Sequence, residues 1–349
     1  MLYGEKKDIR DSFSVVKARQ GENPDTLDIK ETNIDSVKFD GKTLVVLCGN
    51  NTRDPRRASF YASCCFGWLS EKANKKDITA YSIYYPFDQP LRTNFEIDTR
   101  FDYNALSRAL FEQVLTKDGK SQNADEIAKN LKDVVFFGHS IGGFVMNELM
   151  YGLGKMMHTR KYSDEDIKKV YQNIVFVAYS PYSLVAAPIN HIYVTPMYDS
   201  MGSTKLVYDR MVKVGNMNSS NPNFDIHNIC RFRSASYFNF LKLYETAMRN
   251  QDTVYFSDHN ALISTPNLLF DDGIKEDHNF AGIINYPEKH PRKTKAGEIT
   301  TKFLNQVFDY AFTTSREKFS TASLFEKITK NKKLSSETDE EEQLKHKEI

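Results

Sequence analysis

The sequence predicts an α/β protein: a mostly parallel central sheet with helices on both faces and a cap-like insertion. Three observations carry that reading. Continuous runs of β-branched, leucine and aromatic residues recur as "KTLVVLC", "DVVFF" and "IVFVAYS", as expected of strands buried on both faces. Segments with apolar residues at helical spacing separate these runs, and such alternation implies a parallel sheet covered by helices. Between the second run and the helix after it stands "GHSIGG", Gly138 to Gly143, a serine hemmed by glycines where strand turns into helix.

Taken in order, residues 1–40 alternate charge and turn formers with short apolar groups, which suits an early hairpin or an extended arm. The first part of the core spans residues 41–179. "KTLVVLC", Lys42 to Cys48, is a strand that stops at Gly49-Asn50-Asn51. Pro55 suits the first turn of the following helix, and "ITAYSIYYPF" from Ile78 reads as the next strand. Helices from Tyr103 and Asn123 lead into "DVVFF", Asp133 to Phe137. Ser140 opens a further helix, "SDEDIKKVYQN" has its own helical pattern, and "IVFVAYS" from Ile174 is another strand.

Residues 180–250 break the alternation with a stretch rich in Tyr, Phe, Met and Asn, too long for a simple loop and therefore an insertion with short helices of its own. The second part of the core, residues 251–328, resumes with strands "TVYFSD" from Thr253 and "FAGIINY" from Phe280 and a helix from Ala296. Residues 329–349 are almost wholly polar, the composition of a disordered or frayed tail.

Composition narrows the function classes. With 47 basic against 46 acidic side chains, no global field favours nucleic acid or an anionic membrane surface. The start of the chain has neither the apolar core nor the cleavage site of a signal peptide, and no apolar run reaches the roughly 18 residues that span a bilayer. A chain cytoplasmic as synthesised, without integral membrane association, is expected. Cys48, Cys64, Cys65 and Cys230 show no metal-ligand spacing and two are adjacent, so all four are expected to be reduced. No metal or organic cofactor is implied.

A serine between a buried strand and a helix can be held on a sharp turn at the carboxyl edge of the sheet. Gly138 and Gly142, two positions either side of Ser140, let backbone pass close to backbone. The leading amides of the new helix, beginning with Ile141 N–H, then face whatever sits on Ser140 Oγ. This pattern matches the G-x-S-x-G nucleophile elbow, and with His139 and Gly143 it reads G-H-S-x-G-G, so the chain resembles the α/β-hydrolase family of serine hydrolases over about residues 42–178 and 253–312.

The resemblance implies a triad in the order serine, acid, histidine. Only His259, His278 and His290 follow the returning strands. His290 lies four residues after "FAGIINY", where the family carries its base, and His278, before that strand, is the alternative. Asp258 closes "TVYFSD" and is the expected acid. Asp271 and Asp272 in "LLFDDG" read as a solvated turn. A second oxyanion donor is implied just after the first core strand, which nominates the Asn50 amide, then Asn51. Cys48 reads as a small buried hydrophobe, not a nucleophile.

The expected activity is cleavage of an ester, small-molecule or lipid, through an acyl-enzyme. The alternative is a catalytically inactive binding or effector protein on the same fold. The insertion falls where the family places its cap, and its aromatic content suits an apolar ester and peripheral contact with lipid. The end of the tail, "SSETDEEEQLKHKEI", resembles the Glu-rich carboxyl-terminal signals of bacterial type IV secretion effectors, which implies export without a signal peptide.

Overall fold

The computed structural model describes residues 13–23, 25–49, 52–84, 103–181, 185, 187–196, 267–270, 295–320 and 323–324. Within them, an antiparallel hairpin of β1 (Ser14–Gln20) and β2 (Leu27–Thr32) precedes β3 (Thr43–Leu47), α1 (Pro55–Trp68) and β4 (Thr79–Tyr84). Then follow α2 (Tyr103–Leu115), a short hairpin of β5 (Thr116–Lys117) and β6 (Lys120–Ser121), α3 (Ala124–Leu131), β7 (Val134–His139), α4 (Gly142–Thr159), α5 (Asp164–Tyr171) and β8 (Val175–Tyr179). β9 (Asn190–Pro196), β10 (Asn267–Phe270) and α6 (Lys295–Thr313) complete the set.

Eight of these strands form one sheet in the order β10-β9-β8-β7-β3-β4-β1-β2. From β10 to β4 every neighbouring pair is parallel, and only β1 runs against the rest. The architecture is thus α/β with a mostly parallel, mixed sheet. From β3 the chain crosses through α1 to β4 on one side. From β7, on the other side of β3, it crosses through α4 to β8. The strand order therefore reverses at the β3–β7 pair, and loops leaving the carboxyl ends of these two strands diverge to opposite faces. Such a crevice is where open α/β sheets bind ligands.

Strand residues alternate between two apolar layers. Leu44 and Val46 of β3, Val135 and Phe137 of β7 and Val175 and Val177 of β8 pack under α1 and α6, together with Trp68 and Phe308. Val45 and Leu47, Val134 and Phe136, and Phe176 and Ala178 face the other way, against α2 to α5. Both faces are covered, so the strands read as unbroken apolar runs. Each of the Val, Leu and Phe side chains contributes on the order of 1.5–3 kcal/mol on burial. Among the described residues no helix is long and apolar enough to cross a membrane.

Three differences from the sequence reading matter for the site. The early hairpin expected before position 40 is there as β1 and β2, but it belongs to the sheet itself, with β1 paired along β4, because Val15 and Val16 bury opposite faces of the same strand. Residues 190–196, expected inside the insertion, form β9, parallel to β8 with Ile192 opposite Val177. Their apolar set, Ile192, Tyr193 and Val194, is buried, but Asn190, His191, Thr195 and Pro196 around it masked the strand pattern. "NLLF", expected as the approach to a turn, is β10, parallel to β9. The expected strands "TVYFSD" and "FAGIINY", residues 197–250 and the tail lie outside the described residues.

Candidate functional site

The strand β7 ends at His139 and α4 begins at Gly142, with Ser140 at the corner. Ser140 has φ 52°, a left-handed backbone that an L-residue adopts at a cost of roughly 1–2 kcal/mol. Its N–H donates to the Tyr179 carbonyl at 3.2 Å and its own carbonyl accepts from Gly143 N–H at 3.3 Å, so the corner is tied both to β8 and to the new helix. A Cβ at Gly138 would stand 2.8 Å from the Phe176 ring, and one at Gly142 only 2.6 Å from the Leu47 carbonyl oxygen. The two glycines are therefore what lets the corner pack onto β3 and β8. The helix starts at Gly142, two residues after Ser140, whose left-handed backbone cannot belong to it.

The first amides of any helix lack intrahelical acceptors. Helices α1, α3 and α5 cover theirs with Asp54, Asn123 and Ser163 side chains. At α4 the N-cap position is Ile141, which has no side-chain cap, and the Gly143 N–H is taken by the Ser140 carbonyl.

Across the strand-order reversal, Leu47 pairs with Gly138, and Gly49 lies against the His139 ring, where a Cβ would stand 2.6 Å from Nδ1. Gly49 N–H donates to the Tyr61 phenol oxygen at 3.0 Å, and that hydroxyl lies 2.7 Å from His139 Nδ1. His139 is accordingly a buried neighbour of the turn, its ring also beside Tyr179. Burial pushes the Tyr61 phenol well above the usual range, with a smaller rise from Cys48, while bonds to Gly49 and Thr52 act in the opposite direction. Burial likewise raises the Cys48 thiol, so it stays protonated, as its reading as a small hydrophobe requires. Cys48, Cys64 and Cys65 are free thiols.

The structure thus brings together Gly138, Ser140, Ile141, Gly142 and Gly49. Asn50, Asn51, Asp258, His259, Asp271, Asp272, His278 and His290 lie outside the described residues. Two site-adjacent groups were not anticipated. Tyr61 is 78 positions from His139, and only the isolated glycine of "CGNN" hinted that something presses on that loop. Ser180, at the carboxyl end of β8, repeats the left-handed backbone with φ 45° and is fully buried. Its Oγ has no hydrogen-bond partner among the described residues; the parallel endings "FFGHS" and "FVAYS" were its only signal. No protein-family model matches the chain, and no curated protein matches it.

Proposed function

We propose that the protein is a serine hydrolase of the α/β-hydrolase type, acting on an ester of a small molecule or lipid through Ser140. The observation that carries this is the left-handed Ser140 on a glycine-packed corner between β7 and α4, at the carboxyl edge where the strand order reverses. In this reading Ser140 Oγ attacks the ester carbonyl carbon while a histidine takes its proton. The carbonyl oxygen becomes an oxyanion held by Ile141 N–H and an amide of the loop after β3. Collapse of that intermediate expels the alcohol, which takes the proton from the histidine, and water then cleaves the acyl-enzyme by the same sequence.

Two assignments of the base and acid are supported. His290 and Asp258 are the sequence's assignment. β10 favours a second one, because it is parallel to β7 through β8 and β9 and so ends at the same edge as Ser140. The first histidine after it in the chain is His278, and the first carboxylate after β9 is Asp199. This pair also keeps the order serine, acid, histidine. The cap in this reading starts after β9, since residues 190–196 belong to the sheet.

A fluorophosphonate probe tests the proposal, with covalent labelling expected at Ser140 and lost in Ser140→Ala. Alanine at the true base slows labelling by roughly 10²–10⁴-fold, so His278→Ala and His290→Ala, compared side by side, decide between them. Asp199→Asn and Asp258→Asn do the same for the acid. A folded wild-type protein that neither reacts with the probe nor hydrolyses any ester in a panel of acyl chain lengths ends the hydrolase reading.

A further inference from the structure

We infer that the outer edge of β2 is a docking surface for a second copy of this chain, the two β2 strands pairing antiparallel about a two-fold axis through Ile29. The sheet order ends on β2, and Asp28, Ile29, Lys30 and Glu31 along it are all exposed. Among the described residues, the large apolar side chain left in water is Ile29, 42% exposed. The phase of the ladder follows from the turn. Gly21 N–H donates to the Thr26 carbonyl at 3.0 Å, which makes Gly21 and Thr26 a hydrogen-bonded pair. Counting by two along the β1–β2 register, the backbones of Asp28, Lys30 and Thr32 then turn inward to β1, and those of Leu27, Ile29 and Glu31 turn outward. Outward amides and carbonyls at alternate residues are the template that a further strand needs.

Charged residues on an edge commonly keep sheets apart, so the order of the charges decides whether this edge repels or accepts its own copy. Pairing centred on Ile29 sets Ile29 against Ile29, Asp28 against Lys30, Lys30 against Asp28, and Leu27 against Glu31. Both unlike pairs lie on one face of the sheet. The apolar contact lies on the other, where Ala18 beside Ile29 packs under α1. Every neighbouring register is worse. Centring on Lys30 or on Asp28 sets like charges together at the axis, centring between Ile29 and Lys30 sets Asp28 against Glu31, and centring between Asp28 and Ile29 makes no unlike pair at all. A single chain also leaves Lys30 short of an anion. It stands opposite Lys17 in its own hairpin, a like-charge pair that is unfavourable, and among the described residues neither Asp28 nor Lys30 makes an ion pair. A second copy brings its Asp28 to the far side of Lys30. Because the pairing is two-fold, it occupies the β2 edge of both copies and closes at a dimer. One strand of six residues makes a small interface, so the association is weak and depends on concentration.

Sedimentation velocity and amide exchange by NMR, on the full chain from dilute to concentrated solution, test the pairing. The wild type is expected to pass from monomer to dimer. As it does, the Leu27, Ile29 and Glu31 amides should gain protection while those of Asp28 and Lys30 keep one rate throughout. Lys30→Asp and Asp28→Lys each turn both unlike pairs into like ones and should weaken the dimer about tenfold or more. Mixing these two variants restores both unlike pairs and should yield a heterodimer as tight as the wild-type dimer, and the double variant Asp28→Lys/Lys30→Asp should dimerise by itself. Lysine at position 28 faces Arg19 within its own hairpin, so melting temperatures are compared in dilute solution; should that variant not fold, Lys30→Asp and Ile29→Lys, the latter setting lysine against lysine at the axis, carry the test. A wild type that stays monomeric in concentrated solution overturns the inference, as does a dimer that both charge variants leave unchanged or an assembly that grows past two copies. A monomer whose Leu27, Ile29 and Glu31 amides are protected at every dilution overturns it too, since another segment of the chain then fills the edge. None of these results touches the hydrolase reading, which is decided by labelling at Ser140.

Discussion

At the residue scale, the corner at Ser140 is held by what its neighbours lack. The obstacle to a side chain at Gly142 is the Leu47 carbonyl oxygen of β3 at 2.6 Å, whereas at Gly138 it is first the edge of the Phe176 ring at 2.8 Å and then the Gly142 carbonyl carbon at 3.0 Å. Backbone in the middle of a sheet cannot yield; a ring can rotate a little. Overpacking costs about 1–3 kcal/mol, so Gly142→Ala is expected at or above the top of that range and Gly138→Ala nearer the bottom, measured by urea unfolding. Equal costs would mean that the corner does not press on β3. At Ser140 itself, glycine relieves the left-handed strain but loses more chain entropy on folding, so Ser140→Gly should match or exceed Ser140→Ala in stability by no more than about 1 kcal/mol. A glycine variant less stable than the alanine one would contradict the strained backbone.

At the scale of elements, what was legible in the sequence was local, and what was not was a matter of partners. Strands β3, β7 and β8 stood out because both faces are buried, which removes alternation and leaves an apolar run. Helices α3 and α5 carry their start signals in "NADE" and "SDED". Asn123 and Ser163 close capping boxes with Glu126 and Asp166, so Asn123→Ala and Ser163→Ala should each cost about 1 kcal/mol in thermal or urea unfolding. The glycine–serine corner was equally visible, since a tight turn is written in consecutive residues. Strand β9 was hidden because its burial of His191 depends on β8 beside it, and no local rule puts a histidine in a core. Strand β10 was hidden by its length of four residues. Tyr61 was one apolar position on a helix until folding set its hydroxyl between Gly49 and His139.

For the whole molecule, two buried titratable groups that play no part in the proposed chemistry give stability a readable pH dependence. His191 is 2% exposed on β9. Burial lowers its pKa to about 4, against a partly opposing hydrogen bond to the Ile189 carbonyl. The unfolded chain therefore binds a proton near pH 6.5 that the folded chain refuses until about pH 4. Stability is full above 6.5 and is lost as the pH falls toward 4, by about 2–3 kcal/mol for this residue. Glu148, buried on α4 with its Oε1 unpartnered among the described residues, has its carboxyl raised well above the usual range by burial. Its sign is opposite: the folded chain keeps a proton that the unfolded chain releases above about pH 4.5, so stability falls as the pH rises from there. Replacement separates the two. His191→Gln should flatten the decline between pH 6.5 and 4, and Glu148→Gln should stabilise the protein at pH 7 to 8 and have no such effect at pH 4, as followed by urea midpoints across the range. A Glu148→Gln protein less stable than wild type at pH 8 would mean that this carboxylate has found a partner, and an unchanged acid limb in His191→Gln would mean that β9 opens to water before the rest of the sheet unfolds.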